Sequence, residues 1–126
     1  MMDPHLQQGI ELFNRGEYFE CHEVLEIAWT PERGPRRLFL QSLIHVAVGF
    51  YHHRGGNPVG AMRQLQKALR KMQAYLPRYE GVDTEALYRD AARVLELIEA
   101  GEPVPAYPLI SFAENPRTAV ALHLFR

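Results

Sequence analysis

Between Tyr18 and Trp29 the chain reads Tyr-Phe-Glu-Cys-His-Glu-Val-Leu-Glu-Ile-Ala-Trp, and this stretch concentrates side chains able to do chemistry. Wound as a helix at about 100° per residue, with His22 at zero, Glu26 falls near 40°, Glu23 near 100° and Trp29 near 340°. All four project into one arc. Cys21, Val24, Leu25 and Ala28 take the opposite arc, which is ordinary packing material. The result is a core-facing helix with an ionisable stripe beside the protein's one tryptophan. An imidazole with nearby carboxylates can bind a cation, pass a proton or orient a ligand.

A second polar set follows at Gln41 and His45, four residues apart and therefore stacked on one helix face. The loop from Pro31 to Pro35 is short, so the helices on either side should form an antiparallel hairpin. With the turn centred near Arg33, His22 comes opposite Ile44 or His45, and Glu26 opposite Leu40 or Gln41. His52 shares the angular line of Gln41 and His45 but lies about 10 Å further along the axis. It belongs to another layer, near Gly55 and Gly56, and His53 is rotated toward the surface.

Two readings of this constellation stay open. One is a non-catalytic binding or interaction module, with His22, Glu23, Glu26, Trp29, Gln41 and His52 as binding residues and Trp29 and Tyr18 as stacking surface for a small ligand or a partner segment. The other is a metal-dependent enzyme, with hydrolysis the natural chemistry: a divalent metal on His22, Glu26 and His45, and Glu23 as the catalytic base. The order His22-Glu23 then Glu26 is not the zincin motif, and no strong metal spacing is present. A satisfied polar network that merely fixes helix register would need no ligand.

The elements that must position these residues are helices. Asp3-Pro4 starts the first, with Leu6, Ile10 and Phe13 on its apolar face and Gly16 as its stop. The second runs from about Glu17 to Trp29, the third from about Arg36 to His53. Asn57-Pro58 opens the fourth, which reaches Leu76 before Pro77. Asp83-Thr84 opens the fifth, which stops at Gly101. No segment alternates with a period of two, so no sheet is expected. The fold class is all-α, a compact bundle of about five helices built from antiparallel hairpins. Within one domain of residues 1–126, residues 1–101 form the bundle. Residues 102–126 form a Pro-rich ordered tail packed on it, with Leu109, Ile110 and Phe112 too apolar to be left in water. Asn115-Pro116 could start one more short helix through Leu124.

A weak internal repeat links the two hairpins: Gly9, Cys21, Leu25 and Ala28 are matched forty residues on by Gly49, Ala61, Leu65 and Ala68. Small residues at such places are what closely packed helix pairs need, and the spacing resembles that of tetratricopeptide repeats.

Composition limits the partners. Fourteen basic and fifteen acidic residues leave a net charge of −1, which gives no warrant for a nucleic-acid partner. The apolar run from Leu38 to Tyr51 is too short for a membrane span and is broken by Gln41 and His45. One cysteine in 126 residues excludes an intrachain disulfide and suits a reducing compartment, and the start lacks the order of a secretory signal, so the cytoplasm is the expected location. Cys21 reads as a buried structural thiol. The basic stripe Arg63, Lys67, Arg70 and Lys71, set among glutamines, reads as a solvated helix face. A homodimer through the apolar tail is left open.

Taken together, Phe13-Asn-Arg-Gly-Glu-Tyr-Phe-Glu-Cys-His-Glu-Val-Leu-Glu-Ile-Ala-Trp, Gln41-Ser-Leu-Ile-His-Val-Ala, His52 and Gly56-Asn-Pro-Val-Gly-Ala resemble the bacterial, archaeal and plastid domain of unknown function family 309. The resemblance covers roughly Gln7 to Met72. It implies a small all-helical domain, found alone in prokaryotes, without an established activity. His22, Glu23, Glu26, Trp29, Gln41 and His52 match the family's signature, and His45 is not among those positions.

Overall fold

The computed structural model describes residues 2–113. Helix starts follow their capping chemistry. The Asp3 carboxylate accepts from the amides of His5 and Leu6 at 2.7 and 3.4 Å and opens α1, Pro4–Asn14. Helix α2 is Tyr18–Trp29 and α3 is Arg37–Arg54, each beginning one residue later than the sequence suggests. Asn57 accepts from Gly60 N at 3.0 Å to open α4, Pro58–Met72. A single 3₁₀ turn, Gln73–Tyr75, then replaces the expected last turn of that helix. Asp83 accepts from Ala86 N at 2.9 Å and opens α5, Thr84–Glu99. Among the described residues there is no strand, only two isolated bridges, Tyr79 with Val82 and Val82 with Phe112.

The helices pack in chain order, α1 on α2, α2 on α3, α3 on α4 and α4 on α5. The core joining them includes Phe13, Leu25, Phe39, Leu43, Phe50, Leu65, Met72 and Leu87, all under 2% exposed. No described helix is long and apolar enough to cross a membrane.

The internal repeat is a structural one. Helix α1 ends at Asn14 and α3 at Arg54, forty residues on, while α2 begins at Tyr18 and α4 at Pro58, again forty on. Each turn carries a glycine in the left-handed region at the same place, Gly16 at φ +78° and Gly56 at φ +84°, where a side chain would strain the backbone. Each hairpin also closes through the same contact. A Cβ on Gly9 would stand 2.6 Å from Leu25 Cδ2, and one on Gly49 would stand 3.0 Å from Leu65 Cδ2. The absent methyl lets one helix settle onto the leucine of the next, and this sets the rotation of α2 and α4 about their axes. The units differ in one respect that matters below. Helix α3 starts at Arg37, seven residues ahead of the position corresponding to Pro4, and Arg37 and Gln41 lie in this added segment.

Beyond α5, residues 102–113 run without helix across the bundle. The Asn14 side chain reads the backbone of Ile110 from both sides, donating to its carbonyl at 2.9 Å and accepting from its amide at 2.7 Å. Tyr107 stacks on Phe50 at 4.9 Å between ring centroids and bonds His53 Nδ1 at 2.6 Å, so His53 is partly buried rather than at the surface. Asp83 N donates to Ser111 O and Ala113 N to Gly81 O. Of the three apolar tail residues only Ile110 is buried; Leu109 and Phe112 are 61% and 52% exposed. An extended segment turns alternate residues away from what it covers, which accounts for Leu109. The short helix expected from Asn115 lies outside the described residues.

Candidate functional site

The short connection between α2 and α3 produces the antiparallel register that its length implies. The Arg37 guanidinium lies over the Trp29 ring, 4.0 Å from its centroid, and donates to the carbonyls of Trp29 and Glu32 at 3.0 and 2.8 Å. One turn further into the hairpin a pocket of about 220 Å³ opens, lined by His22, Glu26 and Trp29 of α2, Gln41, Ile44, His45 and Val48 of α3, and Gln64 of α4. The structure thus gathers His22, Glu26, Trp29, Gln41 and His45 in one place.

Each histidine is held by an explicit pair of partners. His22 Nδ1 is 3.1 Å from the Phe19 carbonyl and Nε2 is 3.0 Å from the Glu26 carboxylate. Both ring nitrogens therefore face acceptors within α2 itself. His45 has the opposite surroundings. Its Nε2 is 2.8 Å from Lys71 Nζ and its Nδ1 is 2.7 Å from Gln64 Oε1. An ammonium can only donate, so Nε2 accepts, the ring proton sits on Nδ1, and Gln64 receives it on its carbonyl oxygen. Burial holds the His45 pKa below its ordinary 6.5, with Lys71, Lys67 and Arg70 acting in the same direction and the Gln64 bond against it. The indole N–H of Trp29 is buried and has no hydrogen-bond partner among the described residues.

The neutral state of His45 has a pH consequence. Below pH 6.5 the unfolded chain protonates this histidine before the folded one does. The unfolded state then binds more protons, so stability falls with falling pH until the folded pKa is passed. Urea denaturation between about pH 7.5 and about pH 5.5 is expected to show a shallower loss for His45→Asn than for the natural sequence. Parallel profiles would show that His45 is not a source of the slope.

Other expected site residues are placed elsewhere. Glu23 is exposed and does not line the pocket. His52 lies in a separate hollow with Tyr51, Arg54, Gly55 and Asn57, in keeping with its offset along the helix axis. Tyr18 is 3% exposed and packs its ring against Phe13, Phe50 and Tyr107 in the core, so it offers no stacking surface beside Trp29. Cys21 is fully buried and its pKa is pushed up to about 12 by burial, which makes it an inert thiol.

The residues expected to hold a metal have partners of their own. The two nitrogens of His45 are engaged by Lys71 and Gln64, and the carboxylate of Glu26 faces His22. Among the described residues no three His, Cys, Asp or Glu side chains stand so as to hold a metal ion. His22, Glu26 and His45 share the pocket lining, and Lys71 of α4 occupies Nε2 of His45. Ile44, Val48, Gln64 and Lys71 were missing from the sequence-derived site. Gln64 and Lys71, seven residues and two turns apart, share a helix face, but a two-helix register contains nothing that brings α4 to His45.

Fold and pocket define a small all-helical protein of two like hairpins with a polar pocket where α2, α3 and α4 meet. Residues 6–64 match the model of the family described as Domain of unknown function (DUF309), so the likeness seen in the sequence holds over that span. The matched span takes in every residue lining the pocket and stops short of Lys71. A relative, Uncharacterized protein YpuF of Bacillus subtilis (strain 168), is 36% identical over 106 residues, 80% of this chain. The chain spans 58% of that relative's length.

Proposed function

We propose that the protein is a non-catalytic binding module whose site is the pocket between α2, α3 and α4. The observation that carries this reading is the collection of five polar or aromatic side chains from α2 and α3 around a void, with Gln64 of α4 closing it. Polar groups brought this close to a core cost stability, and a network serving only register would close on itself. Here space for a few heavy atoms is kept open. Its volume is below the roughly 300 Å³ at which pockets for drug-sized molecules begin, so it suits a small molecule or one side chain or terminus of a partner. The catalytic reading placed its base on Glu23, which is exposed and does not line the pocket.

A fragment screen observed by NMR tests this. Hits are expected to shift the resonances of His22, Gln41, His45 and Gln64, and to be lost in Gln41→Trp, whose larger side chain fills the void. Hits that map only elsewhere, or that bind Gln41→Trp equally well, would refute the proposal.

A further inference from the structure

The amine of Lys71 is held against an imidazole nitrogen rather than a carboxylate. Its Nζ is 2.8 Å from His45 Nε2, and His45 Nδ1 is fixed by Gln64 Oε1 at 2.7 Å. Nε2 accepts from Lys71, so the imidazole presents a lone pair to one N–H of the amine. No carboxylate among the described residues forms an ion pair with Lys71. Burial lowers the Lys71 pKa from its ordinary 10.5, and the positive charges of Lys67 and Arg70 act in the same direction. A partly desolvated amine among like charges releases its proton more readily, which is how proteins make a lysine nucleophilic. The chain has two lysines, and the other, Lys67, is exposed one turn earlier on α4.

We infer that Lys71 is a modification site, its amine taking an acyl group from a thioester while His45 acts as general base. The lone pair of the neutral amine attacks the thioester carbonyl carbon, and an N–C bond forms. The proton lost is the one already directed at Nε2, so His45 accepts it without moving, and the Gln64 carbonyl holds the Nδ1–H of the ring as it becomes charged. The C–S bond then breaks, and the departing thiolate takes the proton from His45 and leaves as a thiol. One amide and one thiol result, nothing is oxidised or reduced, and the histidine ends as it began. The product keeps one N–H for Nε2 but has lost its charge. Because His45 lines the pocket between α2, α3 and α4, the modification changes the charge beside that pocket, although the inference itself does not depend on the pocket binding anything.

The test treats the whole chain with S-acetyl-N-acetylcysteamine, a small neutral thioester, and follows acetylation of each lysine by mass spectrometry of tryptic peptides. Arg63, Arg70 and Arg78 place Lys67 and Lys71 in separate peptides, so Lys67 serves as the reference for an exposed amine on the same helix. Lys71 is expected to acetylate at least about tenfold faster than Lys67, a modest share of what a positioned base supplies. His45→Asn leaves an amide near the place of Nδ1 and nothing at Nε2, and is expected to bring the ratio close to unity with the Lys67 rate unchanged. Equal rates in the natural protein overturn the site, a result that requires no variant to fold. A ratio that survives in His45→Asn, with the helical circular dichroism spectrum retained, overturns the role of His45 as base. Neither outcome touches the binding reading, which the fragment screen decides separately.

Discussion

Gly9→Ala is expected to destabilise the protein by about 2 kcal/mol, against the usual gain of roughly 1 kcal/mol for replacing glycine by alanine inside a helix. The added Cβ would stand 2.6 Å from Leu25 Cδ2 and 2.8 Å from Cγ, closer than real contacts come, and Leu25 is 1% exposed with no room to retreat. Gly49→Ala meets Leu65 at 3.0 Å and should cost less, so the two repeats provide an internal control. Chemical denaturation of both variants checks the order. A double variant sharpens it: with Leu25→Ala in place, the methyl group introduced by Gly9→Ala partly fills the space that truncation opens. The two changes together should cost less than their sum, and strict additivity would mean the glycine is not there for that leucine. Because this contact fixes the rotation of α2, Gly9→Ala should also alter the Trp29 emission.

Arg36→Met is expected to cost about 2 kcal/mol, between the values for exposed and for fully buried ion pairs. The guanidinium joins three segments: it bonds Glu80 at 2.8 Å and Asp3 at 3.2 Å and lies 3.6 Å from Glu32. Its side chain is 21% exposed, and the three carboxylates are 23 to 29% exposed. Removing it leaves three like charges around one point. Asp3 provides the pH signature. Burial tends to raise its pKa, but the amides of His5 and Leu6 together with Arg36 more than offset this and hold it below 3.8. A carboxyl with a lowered folded pKa contributes stability above its unfolded value, and the contribution is lost as pH falls through the folded pKa. The Asp3 share of the gap between natural and Arg36→Met proteins is therefore expected to be full at neutral pH and to be lost below pH 3.8, as Asp3 is protonated. A gap that persists in acid would assign the loss to packing of the arginine stem.

The ends of the helices and their pairing were written in local chemistry. Asp3, Asn57 and Asp83 act as caps where the sequence places them, and left-handed Gly16 and Gly56 make the turns. The length of the α2 to α3 connection was enough to bring His22 and Glu26 to the height of Gln41 and His45. Even the repeat of Gly9 and Leu25 in Gly49 and Leu65 was legible, since a close helix approach demands a small residue at a fixed place.

Tertiary structure alone decided what those residues meet. A periodic pattern gives each helix a face but does not tell which neighbour covers it, so Tyr18 could be read as a ligand platform although it closes the core against Phe50 and Tyr107. Lys71 belonged to a stripe that looked solvated, and only the packing of α4 on α3 turns it onto His45. That one contact fixes the histidine tautomer and sets the direction of hydrogen bonding around His45. The sequence by itself determined the hairpins and the height at which His22, Glu26, Gln41 and His45 come together, because capping, turn length and helical period are local. Which of them are free to act was decided by a third helix, through contacts between residues distant in the chain.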